Sequence, residues 1–97
     1  MRVVNVRVEE CTHYIGRGRA PSGINTRLGN PFGICGRGGH GRETVIELFF
    51  DWATRNEVVL EKIRALPEDA VLGCWCKPNA CHGDAIVEIW KRLQALR

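Results

Sequence analysis

The sequence predicts a small α/β layered fold: a short, mostly parallel sheet covered by helices. Three observations carry this reading. Valines alternate near the start, helical periodicity runs from position 42 to 66 and returns at the end, and a short apolar run at 70–76 separates the two helical stretches. A chain of 97 residues has room for one hydrophobic core, so positions 1–97 are expected to form a single domain.

Val4, Val6 and Val8 alternate with Asn5 and Arg7, the period-two pattern of a half-buried strand, and HYIG at 13–16 reads as a second strand. Residues 16–41 hold nine of the eleven glycines together with Pro21 and the Asn30-Pro31 turn signal, so this segment is expected to be irregular loop. A loop of that length in so small a domain is uncommon and is usually functional or disordered. Val45, Ile46, Phe49, Phe50, Trp52 and Ala53 then fall at helical spacing, and Val58, Val59, Ile63 and Leu66 extend or restart the helix ahead of Pro67. AVLGCWC at 70–76, bounded by Glu68-Asp69 and Pro78, has the length of a buried strand. Ile86, Ile89, Trp90, Leu93 and Leu96 mark a final amphipathic helix.

Composition narrows the class. With 44% hydrophobic and 26% charged residues the chain is an ordinary ordered domain. No apolar run approaches the roughly 18 residues of a membrane span, and MRVVNVRVEE lacks the apolar core of a secretion signal, so a cytoplasmic protein with no membrane partner is expected. Five cysteines, three of them between positions 74 and 81, argue for reduced thiols rather than a disulfide framework. The net charge is only +3, but from Cys11 to Arg42 there are five arginines and no acid. That asymmetry points to a negatively charged partner.

The densest chemistry lies in GCWCKPNACHGD at 73–84. On a strand, Cys74 and Cys76 share one face and Trp75 takes the other. Cys81 and His82 follow at the expected first turn of the last helix. Cys74, Cys76, Cys81 and His82 form a ligand set that zinc accepts, although one residue between Cys74 and Cys76 is tighter than the usual pair spacing. The same residues support a reactive thiol, since a helix start favours thiolate, with His82 and Asp84 near in sequence as proton carriers. They also suit plain packing, with Cys74 filling a core strand and Asn79 or Asp84 capping the helix.

GRGGHG at 36–41 matches the dinucleotide-binding glycine pattern and leads into a helix, but PFGIC before it is a poor strand and the next strand carries no acid for a ribose. Anion binding needs less: backbone N–H groups at a helix start and arginine forks. Gly16, Arg17, Arg19, Asn30, Arg37 and Arg42 are the candidate ligand contacts. Nucleic acid satisfies the same charge, yet Tyr14 and Phe32 are the sole aromatics among the first 48 residues, a thin basis for base stacking.

YIGRG (14–18), LGNPF (28–32), GRETVIELFFDW (41–52) and LGCWCKPNACHGDAI (72–86) together resemble the domain of unknown function 4326 family, known chiefly from phages and bacteria. Leu28 stands where that pattern more often has an aromatic. The resemblance implies a small Rossmann-like α/β fold and names no reaction; the turn is also similar to that of another uncharacterised group with Cys-His at its strand-to-helix junction, which fits a ligand site without defining one. The leading expectation is a domain that binds a nucleotide or other phosphorylated small ligand, to sequester it or to turn it over, with Cys81, His82 and Asp84 as the catalytic candidates. A zinc-stabilised nucleic-acid-binding module and a structural interaction module are the alternatives, and a homodimer suits a domain of this size.

Overall fold

The computed structural model describes residues 1–29, 31, 42–77 and 79–96. Its element order is β1 (Arg2–Asn5), β2 (His13–Tyr14), β3 (Ile24–Asn25), α1 (Arg42–Thr54), α2 (Glu57–Arg64), β4 (Val71–Cys74) and α3 (His82–Ala95). The four strands make one sheet in the order β1-β4-β2-β3, with every pairing parallel. β4, last in sequence, therefore lies between β1 and β2.

Parallel neighbours normally need long crossovers because the chain must travel back along the strand. Here β2 and β3 have two residues each, so the return is short and loops suffice. Thr12 lies beside β4, its N bonding the Val71 carbonyl at 2.9 Å, and the Cys11 side chain packs over Gly73. Gly73 makes room for it: a Cβ there would lie 2.4 Å from Cys11 Sγ and 2.6 Å from Val6 Cγ1.

Alternation along the strands divides two cores. Ile15, Leu72 and Cys74 face the helices and join Phe49, Ala53, Ile63, Ile86 and Ile89 in the larger cluster. Val4 and Tyr14 face the other way and meet Cys11, Val6, Ala20 and Val71, a smaller core roofed by loops rather than helices. The fold is the expected small α/β type, with its described helices on one face of the sheet.

The helical stretch at 42–66 resolves into two helices because Asn56 interrupts it. Its side-chain oxygen accepts from Val58 N at 3.1 Å and Val59 N at 3.3 Å, so it caps α2. One expectation is corrected. The Val4–Val8 alternation does not continue as strand past Asn5: Val8 N and Glu9 N both return to the Asn5 carbonyl, and Arg7 N bonds Asn5 Oδ1 at 2.9 Å, so the chain turns and Val8 is exposed. The 16–41 segment contains β3, whose short pairing to β2 carries too little periodicity to be seen. Asn30, Arg37 and the GRGGHG stretch lie outside the described residues, as does the side chain of Arg42.

Candidate functional site

The carboxyl ends of β1, β4, β2 and β3 share one edge of the sheet, with Asn5 opposite Cys74 and Tyr14 between Gly73 and Asn25. Ligands of parallel sheets sit outside this edge. The cysteine turn and the start of the glycine–arginine segment, Gly16 and Arg17, both leave the sheet at this edge.

Cys81 is the N-cap of α3. Its Sγ accepts from Gly83 N at 3.3 Å, while Asp84 Oδ2 accepts from Cys81 N at 3.1 Å, a reciprocal cap with sulfur in the place of a hydroxyl. Asn79, the other expected cap, instead closes the preceding turn through its N–H to the Cys76 carbonyl. Asp84 also pairs with Lys77 Nζ at 2.7 Å, which raises the lysine above its ordinary range. The approach of α3 to the sheet depends on Gly83, where a Cβ would lie 2.8 Å from both Ile15 Cδ1 and Val3 Cγ1.

That cap places Cys81 Sγ 3.4 Å from Cys74 Sγ at the end of β4. Cys76 completes the group, since the three sulfurs lie within 4.8 Å of one another. Tetrahedral bonds of ~2.3 Å to sulfur give an S···S edge of ~3.8 Å, so this cluster can hold a metal ion with small adjustments. Cys74 and Cys76 share the helix-facing side, as alternation required, and Trp75 points to the Tyr14 side.

The two closest thiols are not equivalent. A hydrogen bond from Cys81 brings Cys74 down to about 6 against the opposing effect of burial, with help from the N–H groups of Cys76 and Lys77. Donation to Cys74, burial and the charge on that neighbour push Cys81 up. The helix start alone pointed to Cys81 as the thiolate; the Cys74–Cys81 contact instead favours ionisation of Cys74 and disfavours that of Cys81.

His82 does not join the thiols. Its Nε2 donates to the Ile15 carbonyl at 2.8 Å, and its ring meets Phe49 edge-on with centroids 5.0 Å apart. Burial lowers its pKa, against the opposing pull of the Ile15 and Leu28 carbonyls, and Arg17 lowers it further. It is thus a buried neutral tie between α3 and the 15–17 segment, outside the ligand set assigned to it by sequence.

That tie brings the glycine–arginine segment to the cysteine corner. Gly16 packs on the Tyr14 ring, where a Cβ would lie 2.5 Å from Tyr14 Oη, so glycine is a steric requirement there. Arg17 and Arg19 are exposed, and Gly29 lies against Arg17. Leu28 is buried in the helix-side core, so this position has no face to offer a ring. Arg27 has φ of 61°, a left-handed conformation costing about 1 kcal/mol or more, held by Asn25 Oδ1 accepting from Arg27 N. Trp75 is the residue that sequence reasoning passed over. Its Nε1 donates to Tyr14 Oη at 2.7 Å, and Arg7 Cζ lies 5.4 Å from its ring centroid. The alternation rule had set its facing; only the fold showed what it faces.

A groove elsewhere, between α1 and α3, is lined by Ile46, Phe50 and Ala85 and rimmed by Glu47, Asp84 and Glu88. Its rim has the wrong sign for an anion. Among the described residues no helix is long and apolar enough to cross a membrane.

These features define a small parallel α/β domain with a three-thiol corner at its carboxyl edge. The chain belongs to the family described as Domain of unknown function (DUF4326), whose model matches residues 2–92. It is 37% identical over 78 residues, 72% of this chain and 68% of the relative, to a phage T4 protein described as "Uncharacterized 12.4 kDa protein in nrdA-td intergenic region". No solved structure matches.

Proposed function

We propose that the protein binds a phosphorylated, nucleotide-like small molecule at the carboxyl edge of its sheet, and that zinc on Cys74, Cys76 and Cys81 braces that edge from the helix side. The observation that supports this most is the His82–Ile15 hydrogen bond. It joins the arginine-bearing turn directly to the residue after Cys81, so the anion contacts and the thiols flank one junction. Zinc is favoured because three sulfur donors suit a borderline-soft ion, and binding would be accompanied by proton release from the thiols. When bound it would tie the end of β4 to the start of α3. Arg17 and Arg19, exposed beside that junction, supply the positive charge for phosphate. With Cys81 engaged as a metal ligand, His82 sealed and Asp84 held by Lys77, binding is favoured over turnover.

Two measurements on the purified protein test the reading. Elemental analysis should find one zinc per chain, lost in Cys76→Ser and retained in Cys11→Ser; a folded wild type without metal would end the zinc part. Calorimetry with AMP and ribose 5-phosphate should show binding that weakens in Arg17→Ala, and no heat from either compound would end the ligand part. The nucleic-acid alternative keeps the same zinc and draws support from the exposed Arg7, Arg17 and Arg19 and from exposed Trp75, over whose ring Arg7 lies. An oligonucleotide binding where AMP does not would select it.

A further inference from the structure

We infer that Trp75 is the stacking platform for the base of the bound ligand, so that the phosphorylated molecule is a nucleotide rather than a sugar phosphate or an acyl phosphate; this rests on the phosphorylated-ligand reading above. Trp75 is the first residue past the end of β4, the strand that runs between β1 and β2. It therefore stands at the middle of the sheet's carboxyl edge, on the face opposite the thiols. Its indole is 47% exposed. Burying the rest of so large an apolar ring would stabilise the fold, yet nearly half of it stays open even with Arg7 over the ring.

The ring is also fixed. Its only polar atom, Nε1, donates to Tyr14 Oη at 2.7 Å, and Tyr14 Oη donates in turn to the Arg17 carbonyl at 2.8 Å. Tyr14 itself is 1% exposed, so the relay is anchored in the core. With its polar edge satisfied internally, the indole presents apolar and π surface to a ligand. A surface ring that is already immobilised loses little entropy on stacking, which is what a preorganised platform requires.

A planar cation already uses this surface. Arg7 Cζ lies 5.4 Å from the ring centroid, and the Arg7 side chain is exposed on the turn that follows β1. A nucleobase is a flat group that can take the same ring face in place of the guanidinium. Arg7 lies over the platform and the Arg17 backbone is joined to it through Tyr14, so these two arginines are the cations assigned to the phosphate of a nucleotide whose base rests on Trp75. The relay through Tyr14 fixes the platform relative to the Arg17 turn, so base and phosphate contacts share one rigid frame.

The experiment compares AMP with ribose 5-phosphate, which has the phosphate and sugar but no base, on the wild type, Trp75→Leu and Trp75→Phe. Trp75 is the exposed indole, while Trp52 and Trp90 are partly buried, so AMP should also quench fluorescence that Trp75→Leu removes. Stacking on an aromatic side chain predicts that Trp75→Leu weakens AMP by about 5- to 100-fold. Ribose 5-phosphate should be unchanged in that variant, and Trp75→Phe should restore part of the AMP affinity. Should the leucine variant not fold, the phenylalanine variant, which keeps a ring, carries the test through its AMP to ribose 5-phosphate ratio, expected to fall below the wild-type ratio. Equal wild-type affinity for the two compounds, or an AMP preference that survives in both variants, overturns the platform and leaves the phosphate reading standing. If neither compound binds at all, the phosphate reading fails and the platform with it. An oligonucleotide that binds while AMP does not overturns the inference in favour of a strand.

Discussion

Replacing His82 with leucine removes one hydrogen bond and one titrating group from the junction on which the functional reading depends. The Ile15 carbonyl would lose its partner, His82 Nε2 at 2.8 Å, in a position packed by Phe49 and the helix-side core. An unsatisfied buried acceptor costs about 1–3 kcal/mol, and for a domain of this size each kcal/mol moves Tm by roughly 4–8 °C. The effect has a pH signature that simple loss of packing lacks. Burial lowers the folded-state pKa of His82, while in the unfolded chain the imidazole titrates near its ordinary value of about 6.5. Below that value the unfolded state binds a proton that the folded state refuses, so this group's contribution falls as the solution is acidified, by at most about 1.4 kcal/mol per pH unit. It is fully present above about pH 6.5 and is lost toward the lower folded-state pKa. Arg17 reinforces the lowering and Asp84 opposes it. Leucine has no proton to refuse. Urea unfolding of both proteins from pH 8 to pH 5 should therefore show a gap of about 1–3 kcal/mol at pH 7 to 8 that narrows toward pH 5. A gap that stays constant or widens on acidification would refute the buried-neutral assignment, and no gap at neutral pH would refute the tie itself.

Other perturbations probe the rest of the frame. In metal-free protein, absorbance at 240 nm should report one thiol ionising at about 6, lost in Cys74→Ser; because that thiolate exists in the folded state before the unfolded one, the pair's contribution should grow as pH rises from about 6 toward 9. A wild type whose first thiol ionises near 9 would contradict the hydrogen-bonded pair. Gly73→Ala drives a Cβ into Cys11 and Val6 and should cost about 1–3 kcal/mol in denaturant melts, with little or no cost meaning that Cys11 sits further from β4. Asn56→Ala removes the cap that restarts α2 and should cost about 1 kcal/mol, while Asn56→Asp should restore most of it; equal loss in both would point to another role for the residue.

Periodicity is a local property, and it located the strong elements well. The helices at 42–66 and at the end, the strand at 70–76 and the facing of Cys74, Trp75 and Cys76 all depend on the repeat angle of a helix or strand, which the order of apolar residues records. The weak elements left no such record. β3 has two residues, and the end of β1 is fixed by Asn5, whose side chain bonds the Lys77 carbonyl at 2.8 Å from the far end of the chain. Leu28 and Gly16, which sequence could only group with a loop, are placed by contacts with the helix core and the Tyr14 ring.

The chain's order of residues by itself determined a small α/β domain, its family, its lopsided positive segment and the concentration of sulfur near position 80. Only the tertiary structure decided what each chemical group does there. Cys74 and Cys81 meet because a strand end and a helix cap are brought to 3.4 Å, and that contact, more than the helix start, selects which sulfur gives up its proton. His82 leaves its sequence neighbours for Ile15, and Trp75 finds Tyr14 across the sheet. Ionisation, hydrogen bonding and stacking act through space over a few ångströms, and spacing along the chain does not fix those distances until the sheet has closed.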